Sequence, residues 1–275
     1  MNEVRIHRYA AGPQGALVNA YLVETATGVI AVDGTLTVSD GRAMGAQLAS
    51  LGKPLLGVLV THAHPDHYGG IGELIGDHQV PVFATSGTAA AIRRDDPAKE
   101  EILRPMFGDE WPRRRRFPDT LVHDGETVVL DGAEFHVIDL GAGESPHDSV
   151  WLLGDDRRTV FPGDVVYDQK HAYLADGFHQ AWLANMARLE RELPGDAVLY
   201  IGHGGPASVA HFSWQREYIE RFLAAIRGAD WSEPGSARAG VVAEMKRFLP
   251  SDELSFLMEL SIDPVAAQLA MSATT

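Results

Sequence analysis

Residues 55–70 read LLGVLVTHAHPDHYGG. The apolar opening, bounded by Pro54 and by a polar loop, predicts a buried strand over Leu55–Thr61. The chain leaves it at His62 and offers His62, His64, Asp66 and His67 within six positions. Neutral imidazole and carboxylate are natural donors for a borderline divalent cation. Extended backbone puts His62 and His64 on one side, so both rings can meet one ion. Pro65 then turns the chain, which lets Asp66 and His67 face a second. Sheets of α/β proteins collect ligands at the carboxyl ends of their strands, where this loop emerges.

Upstream, Ala16–Glu24 and Val29–Asp33 are strand-like, with Thr27-Gly28 at the turn between them. A helix is expected over Ser39–Leu51, a strand over Val80–Ala84 and a helix over Gly87–Arg94, an alternation that indicates layered α/β packing. Residues 95–119 are charged and contain prolines, which predicts a short helix and an exposed loop. Strands at Thr127–Leu130, Glu134–Leu140, Val150–Leu153 and Thr159–Phe161 then form an antiparallel meander. An amphipathic helix over Phe178–Leu193, a strand over Ala197–Ile201 and a helix over Phe212–Ile226 follow. Gly235, Ser236 and Gly240 suggest a break, followed by a helix over Val241–Leu249, a second capped by Ser251, and a third opened by Asp263-Pro264. The expected organisation is a catalytic unit over 1–230 and a C-terminal helical extension over 231–275. That extension either packs on the unit or forms a homodimer interface. Truncation after Ala229 is expected to spare every candidate ligand, because all precede it.

Composition narrows the function. The 275 residues carry a formal charge of −15, which disfavours general affinity for nucleic acid or anionic lipid. Arg113–Arg116 is the exception, either an RNA contact or a loop neutralising nearby acids. The chain has no cysteine, so disulfides, thiolate metal sites and cysteine nucleophiles are excluded. No apolar run reaches the ~18 residues of a membrane span, and the N-terminus lacks the pattern of a secretory signal. A cytoplasmic protein acting on a small molecule is the expectation.

Three further candidates sit at strand ends: His147 in GAGESPHDSV, Asp164 in VFPGDVVY and His203 in LYIGHGGP. The set H-x-H-x-D-H, then His, Asp and His, resembles the metallo-β-lactamase superfamily. The resemblance implies an α/β fold (α+β in some schemes), a four-layer αβ/βα sandwich with the metals at one edge. It implies that His62, His64 and His147 hold a first ion, that Asp66, His67 and His203 hold a second, and that Asp164 bridges them. Asp33, in the early V-D-G motif, is similar to a buried aspartate supporting the histidine loop; as a residue it also reads as the cap of a turn after a strand.

Two cations ~3.5–4 Å apart can share and acidify a water that attacks a carbonyl. Two zinc ions are the expected cofactor, with iron or manganese as alternatives. The sequence G-D-V-V-Y looks like the G-D-x-x-Y of acyl-homoserine lactonases, which assigns Tyr167, together with Asp66, a catalytic part. The alternative for Tyr167 is simple ring packing. His171 and His179 are candidates to shape a substrate pocket with Tyr167. The expected activity is hydrolysis of an ester, lactone or thioester, lactonase-like first. The alternatives are a glyoxalase II-like thioesterase, a β-lactamase, or an iron-dependent sulfur dioxygenase of the same fold.

Overall fold

A computed structural model describes residues 4–272; residues 1–3 and 273–275, the outer ends of the two expected units, lie outside the described residues. The first half runs β1 (Arg5–Ala10), β2 (Asn19–Glu24), β3 (Val29–Val32), α1 (Val38–Ser50), β4 (Leu55–Leu59), α2 (Pro65–Tyr68), α3 (Ile71–Ile75), β5 (Val82–Thr85), α4 (Ser86–Phe107) and β6 (Thr120–Val122). Its strands form one six-stranded sheet in sequence order. The first three strands are antiparallel and β3 to β6 run parallel. The second half runs β7 (Thr127–Leu130), β8 (Ala133–Gly141), β9 (Asp148–Leu153), β10 (Thr159–Tyr167), α5 (His179–Glu192), β11 (Val198–His203), β12 (Ala207–Ser208), α6 (His211–Gly228), α7 (Pro234–Phe248) and α8 (Ser255–Ser272). These strands form a second six-stranded sheet, ordered β12-β11-β10-β9-β8-β7, with β10 and β11 its parallel pair.

Apolar side chains fall into three layers, and the layers define the sandwich. Tyr21, Ile30, Leu59, Phe135, Trp151 and Phe161 pack between the sheets. Met44, Leu48, Ile71, Leu74 and Ile92 cover the outer face of the first sheet. Trp182, Met186, Phe222, Met245 and Met258 cover the outer face of the second. Strands β3 and β9 are buried at every position, which is why β3 and the Val150–Leu153 part of β9 read as continuous apolar runs rather than alternating ones. The result is the four-layer αβ/βα sandwich. Among the described residues no helix is long and apolar enough to cross a membrane.

Strands β1, β6 and β12 are not expected from the sequence, and three helical segments also differ from the expectation. Helix α4 continues through Pro97 and Pro105 to Phe107. Both prolines are exposed, and Asp96, just before Pro97, and Glu100, one turn further on, are tied to Arg115. Helix α7 begins at Pro234 and includes Gly235, Ser236 and Gly240, which therefore mark no break. Proline at the first helical position has its φ preset for the helix. Asp263-Pro264 starts no third helix, since α8 runs through it, and Asp263 instead pairs with Arg238 of α7 at 2.7 Å. The inward faces of α7 and α8, with Val241, Met245, Leu249, Met258, Ile262 and Val265, share one apolar cluster with β9, β10 and β11.

The arginine run is fully paired. Arg113 meets Asp109, Arg114 meets Asp77, Arg115 meets Asp96 and Glu100, and Arg116 meets Asp119. Of the two readings of that loop, neutralisation of nearby acids describes the geometry.

Candidate metal centre

The loop after β4 crosses the edge of the sandwich and is pinned there from both sheets. Ser149 donates to the Thr61 carbonyl from its N–H at 2.8 Å and from its hydroxyl at 2.7 Å, and the Trp151 indole donates to Val60 O at 3.1 Å. Asp33, at φ 61° just past β3, accepts from Thr61 N (2.8 Å) and Thr61 Oγ1 (2.8 Å) and from His67 Nδ1 (2.9 Å). The Thr61 hydroxyl proton thus goes to Asp33, so its oxygen accepts from His62 Nδ1 at 3.0 Å. Both His62 and His67 are left with Nε2 as a bare lone pair turned inward. Of the two readings of Asp33, support of the histidine loop matches these contacts, since they run to Thr61 and His67 rather than to the backbone of its own turn.

Two donor clusters result. In the first, His62 Nε2 and His64 Nδ1 lie 3.5 and 2.9 Å from Glu144 Oε2. The second contains Asp66, His67, Asp164 and His203. There His203 Nε2 is 3.2 Å from Asp66 Oδ2 and 3.1 Å from Asp164 Oδ2, and His67 Nε2 is 3.4 Å from Asp164 Oδ1. Asp164 Oδ2 also lies 3.9 Å from His62 Nε2, so this carboxylate stands between the clusters. Its place depends on Gly163 at φ 57°, where a Cβ would come within 2.6 Å of Thr61 Oγ1 and 2.9 Å of His62 Nδ1.

His62 Nε2, His67 Nε2, Glu144 Oε2 and Asp164 Oδ1 are buried without a hydrogen-bond partner. Buried polar atoms are normally paired, and these converge on two points, so the donors fit a pair of divalent cations. Burial first, then His67, hold the His62 imidazole well below its ordinary pKa. Burial opposes protonation of His67 too, but Asp164, Asp33 and Asp66 outweigh it and push that ring well upward. Burial lifts the Glu144 carboxyl to about 8, against the pull of His64. The carboxylates that draw a proton to the His67 ring would equally draw a cation.

His147 does not join the donors. Its Nε2 bonds Asp139 Oδ1 at 2.7 Å, both side chains about a quarter exposed, and its ring packs over Gly87. Asp148 accepts from Glu144 N, Ser145 N and Ser145 Oγ, closing a turn that aims Glu144 inward and His147 outward. The candidate donor that the sequence reading passed over, Glu144, lies three residues upstream. The Ser-Pro-x-Asp run at 145–148 was its available signal, because an aspartate capping its own preceding turn reverses which residue faces the strand end.

Tyr167 stacks on His203, with ring centroids 5.1 Å apart and planes 6° apart. Its hydroxyl lies 3.0 Å from both Glu144 Oε1 and Asp164 Oδ2. It is buried between carboxylates of the two clusters, and burial followed by those charges keeps it protonated. His171 lies elsewhere, held between the Tyr218 hydroxyl (2.9 Å) and Ser251 O (3.0 Å). His179 opens α5 and lines a cavity with Arg227, Gln268 and Leu269 that none of the cluster donors shares. Asp176, which the sequence reading did not single out, lies 3.0 Å from His64 Nε2.

A family model described as "Metallo-beta-lactamase superfamily" matches residues 14–203. A hydroxyacylglutathione hydrolase of Rhodopseudomonas palustris (strain BisB5) is 29% identical over 168 residues, 61% of this chain and 56% of that protein. The chain spans about half the length of the first curated relatives it matches. A beta-lactamase domain protein from Burkholderia ambifaria superposes with a TM-score of 0.71 at 22% identity, covering 98% of this chain and 87% of that one, a likeness of fold. TTHA1623, solved in a di-iron-bound form, superposes with a TM-score of 0.59 at 26% identity, covering 75% of this chain and 96% of its own. With a family match across most of both sheets and two donor clusters at their shared edge, the conclusion is that the chain belongs to the metallo-beta-lactamase superfamily.

Proposed function

We propose that the chain is a metal-dependent hydrolase of small-molecule esters, lactones or thioesters. The convergence of unpaired buried donors on two adjacent points carries the reading. His62, His64 and Glu144 would hold one ion and Asp66, His67 and His203 the other, with Asp164 offering an oxygen to each. Bound there, a divalent pair supplies Lewis acidity toward a carbonyl oxygen and a water acidified to near neutrality. The chain's own part is to hold those donors in one protonation state and to keep bulk water out. Asp66 and Asp176, at 15% and 19% side-chain exposure, are the most open of these groups and mark where substrate would enter.

Four imidazoles and three carboxylates suit zinc, and Glu144 in place of a third imidazole on the first ion moves the set toward iron or manganese. The di-iron form of TTHA1623 supports that second choice. The name of the Rhodopseudomonas relative supports a thioester among the three substrate classes. The lactone reading rested on Tyr167, whose proton is directed at carboxylates rather than at open space. A homodimer through the C-terminal helices remains a proposal. With their inward faces in the core, it would use Phe256 and Leu260 of α8, 50% and 60% exposed.

Metal analysis with a hydrolysis screen over lactones, thioesters, aryl esters and β-lactams tests the reading. About two divalent ions per chain and activity lost to a chelator are expected. Glu144→Ala should lose one ion while His147→Ala keeps both; the reverse pattern would restore His147 as the ligand. One iron per chain with no hydrolysis would point to oxidation instead.

A further inference from the structure

The first three histidines of the clusters each have their second ring nitrogen held by a fixed group. Thr61 holds His62 and Asp33 holds His67, both from the first sheet and its edge. His64 is held differently. Its Nδ1 faces Glu144, so Nε2 carries the proton and donates to Asp176 Oδ2 at 3.0 Å. The ring of Tyr173 packs edge-on against His64 at 5.3 Å and 88°. Asp176 and Tyr173 lie on the irregular segment between β10 and α5, and that segment is fastened from the C-terminal side of the chain. His171 N donates to Glu253 O at 3.2 Å, just before α8. Leu174 N donates to Ser261 Oγ at 2.8 Å, and the Ser261 proton goes to Leu257 O of its own helix, which leaves the oxygen free to accept. The Gln268 side-chain amide donates to Gly177 O at 2.7 Å, one residue beyond Asp176. Ser261 and Gln268 are seven residues apart on α8, two turns along one face, and they bracket Asp176 from both sides.

We propose that Asp176 is a positioning residue for His64, and that α8, through Ser261 and Gln268, sets where Asp176 stands. The C-terminal helix then governs how tightly the first ion is held. The inference rests on the metal-centre reading above. A carboxylate on the distal N–H of a ligating imidazole fixes the ring's orientation and tautomer and raises its basicity. His64 needs this more than its neighbours, because it stands at the entrance with 8% side-chain exposure while His62 and His67 are sealed.

The test titrates the metal-loaded full-length chain with a chelator, counting ions per chain, beside thermal melts of the metal-free protein. Asp176→Ala should weaken retention of one ion by about 10–100-fold and leave the other as in the wild type, with the metal-free melt unchanged. Asp176→Asn, which keeps an acceptor oxygen, should recover part of that loss. A Ser261→Ala, Gln268→Ala double variant should weaken the same ion by a smaller factor. Wild-type retention of both ions in Asp176→Ala would overturn the positioning role. Wild-type retention in the double variant would overturn the part given to α8. A wild-type chain that holds no ions would instead bring down the metal-centre reading, and that result needs no variant.

Discussion

Tyr167 has one hydroxyl proton and two carboxylate oxygens at 3.0 Å competing for it. The carboxylates belong to different clusters, and the hydroxyl's single proton forms a link to only one of them at a time. Tyr167→Phe deletes that link inside a buried site, where a hydrogen bond to a charged group contributes about 1.5–3 kcal/mol. The expected outcome is looser metal retention together with lower activity. A donor aimed at a developing oxyanion would behave otherwise, with metal content unchanged and kcat down by about 10²–10³. Ion counts and kcat measured on the same preparation separate the two. This residue also shows what one-dimensional reading can reach. The resemblance of G-D-V-V-Y singled out Tyr167, and its hydroxyl lies beside Asp164. The direction of its hydroxyl depends on Glu144, which the sequence reading had not placed. His147 and Glu144 sit in one short turn, and only the hydrogen bonds of Asp148 decide which faces inward.

At the scale of elements, α4 and the arginine loop illustrate the limit of a local rule. Two prolines and a run of charge argued for ending the helix near Arg94, and by propensity alone that was sound. A tertiary contact overrides it. Arg115 lies 12% exposed across the helix, with Nε and Nη2 on the Asp96 carboxylate at 2.8 Å each, Nη1 on Glu100 at 2.6 Å, and its guanidinium 5.0 Å over Trp111. Tyr68, beside the histidine loop, also donates to Asp96 at 3.1 Å. Arg115→Ala would strand a buried carboxylate, a loss that typically destabilises by about 3–5 kcal/mol. Arg113→Ala and Arg114→Ala face fully exposed acids and should leave the melt unchanged. A denaturant series over the three variants checks the contrast, and equal effects in all three would deny Arg115 its special place.

Across the whole molecule, most of the order of strands and helices was legible because central strands such as β3 are buried at every position and read as apolar runs, whereas β1, with its alternating exposure, and the very short β6 and β12 gave no such run. The C-terminal helices were harder to read. Helix α8 is apolar nearly all round, so its sequence does not say which face is inward, and the glycines of α7 imitate a linker. The expectation that a chain cut after Ala229 keeps its ligands followed from counting them, and packing argues for a different outcome. That cut removes Val241, Met245, Leu249, Leu254, Met258, Ile262 and Val265 from the cluster that covers β9, β10 and β11. At roughly 1.5–3 kcal/mol for each buried side chain, the loss rivals the whole stability of an ordinary domain, about 5–15 kcal/mol. The cut also takes Ser261 and Gln268 away from the segment that carries Asp176. The shortened chain should therefore show no cooperative thermal transition and no tight metal binding, measured by circular dichroism and by ion counts after gel filtration. A cooperative melt with both ions retained would mean that the second sheet closes its outer face without α7 and α8, and that His64 keeps its orientation without them.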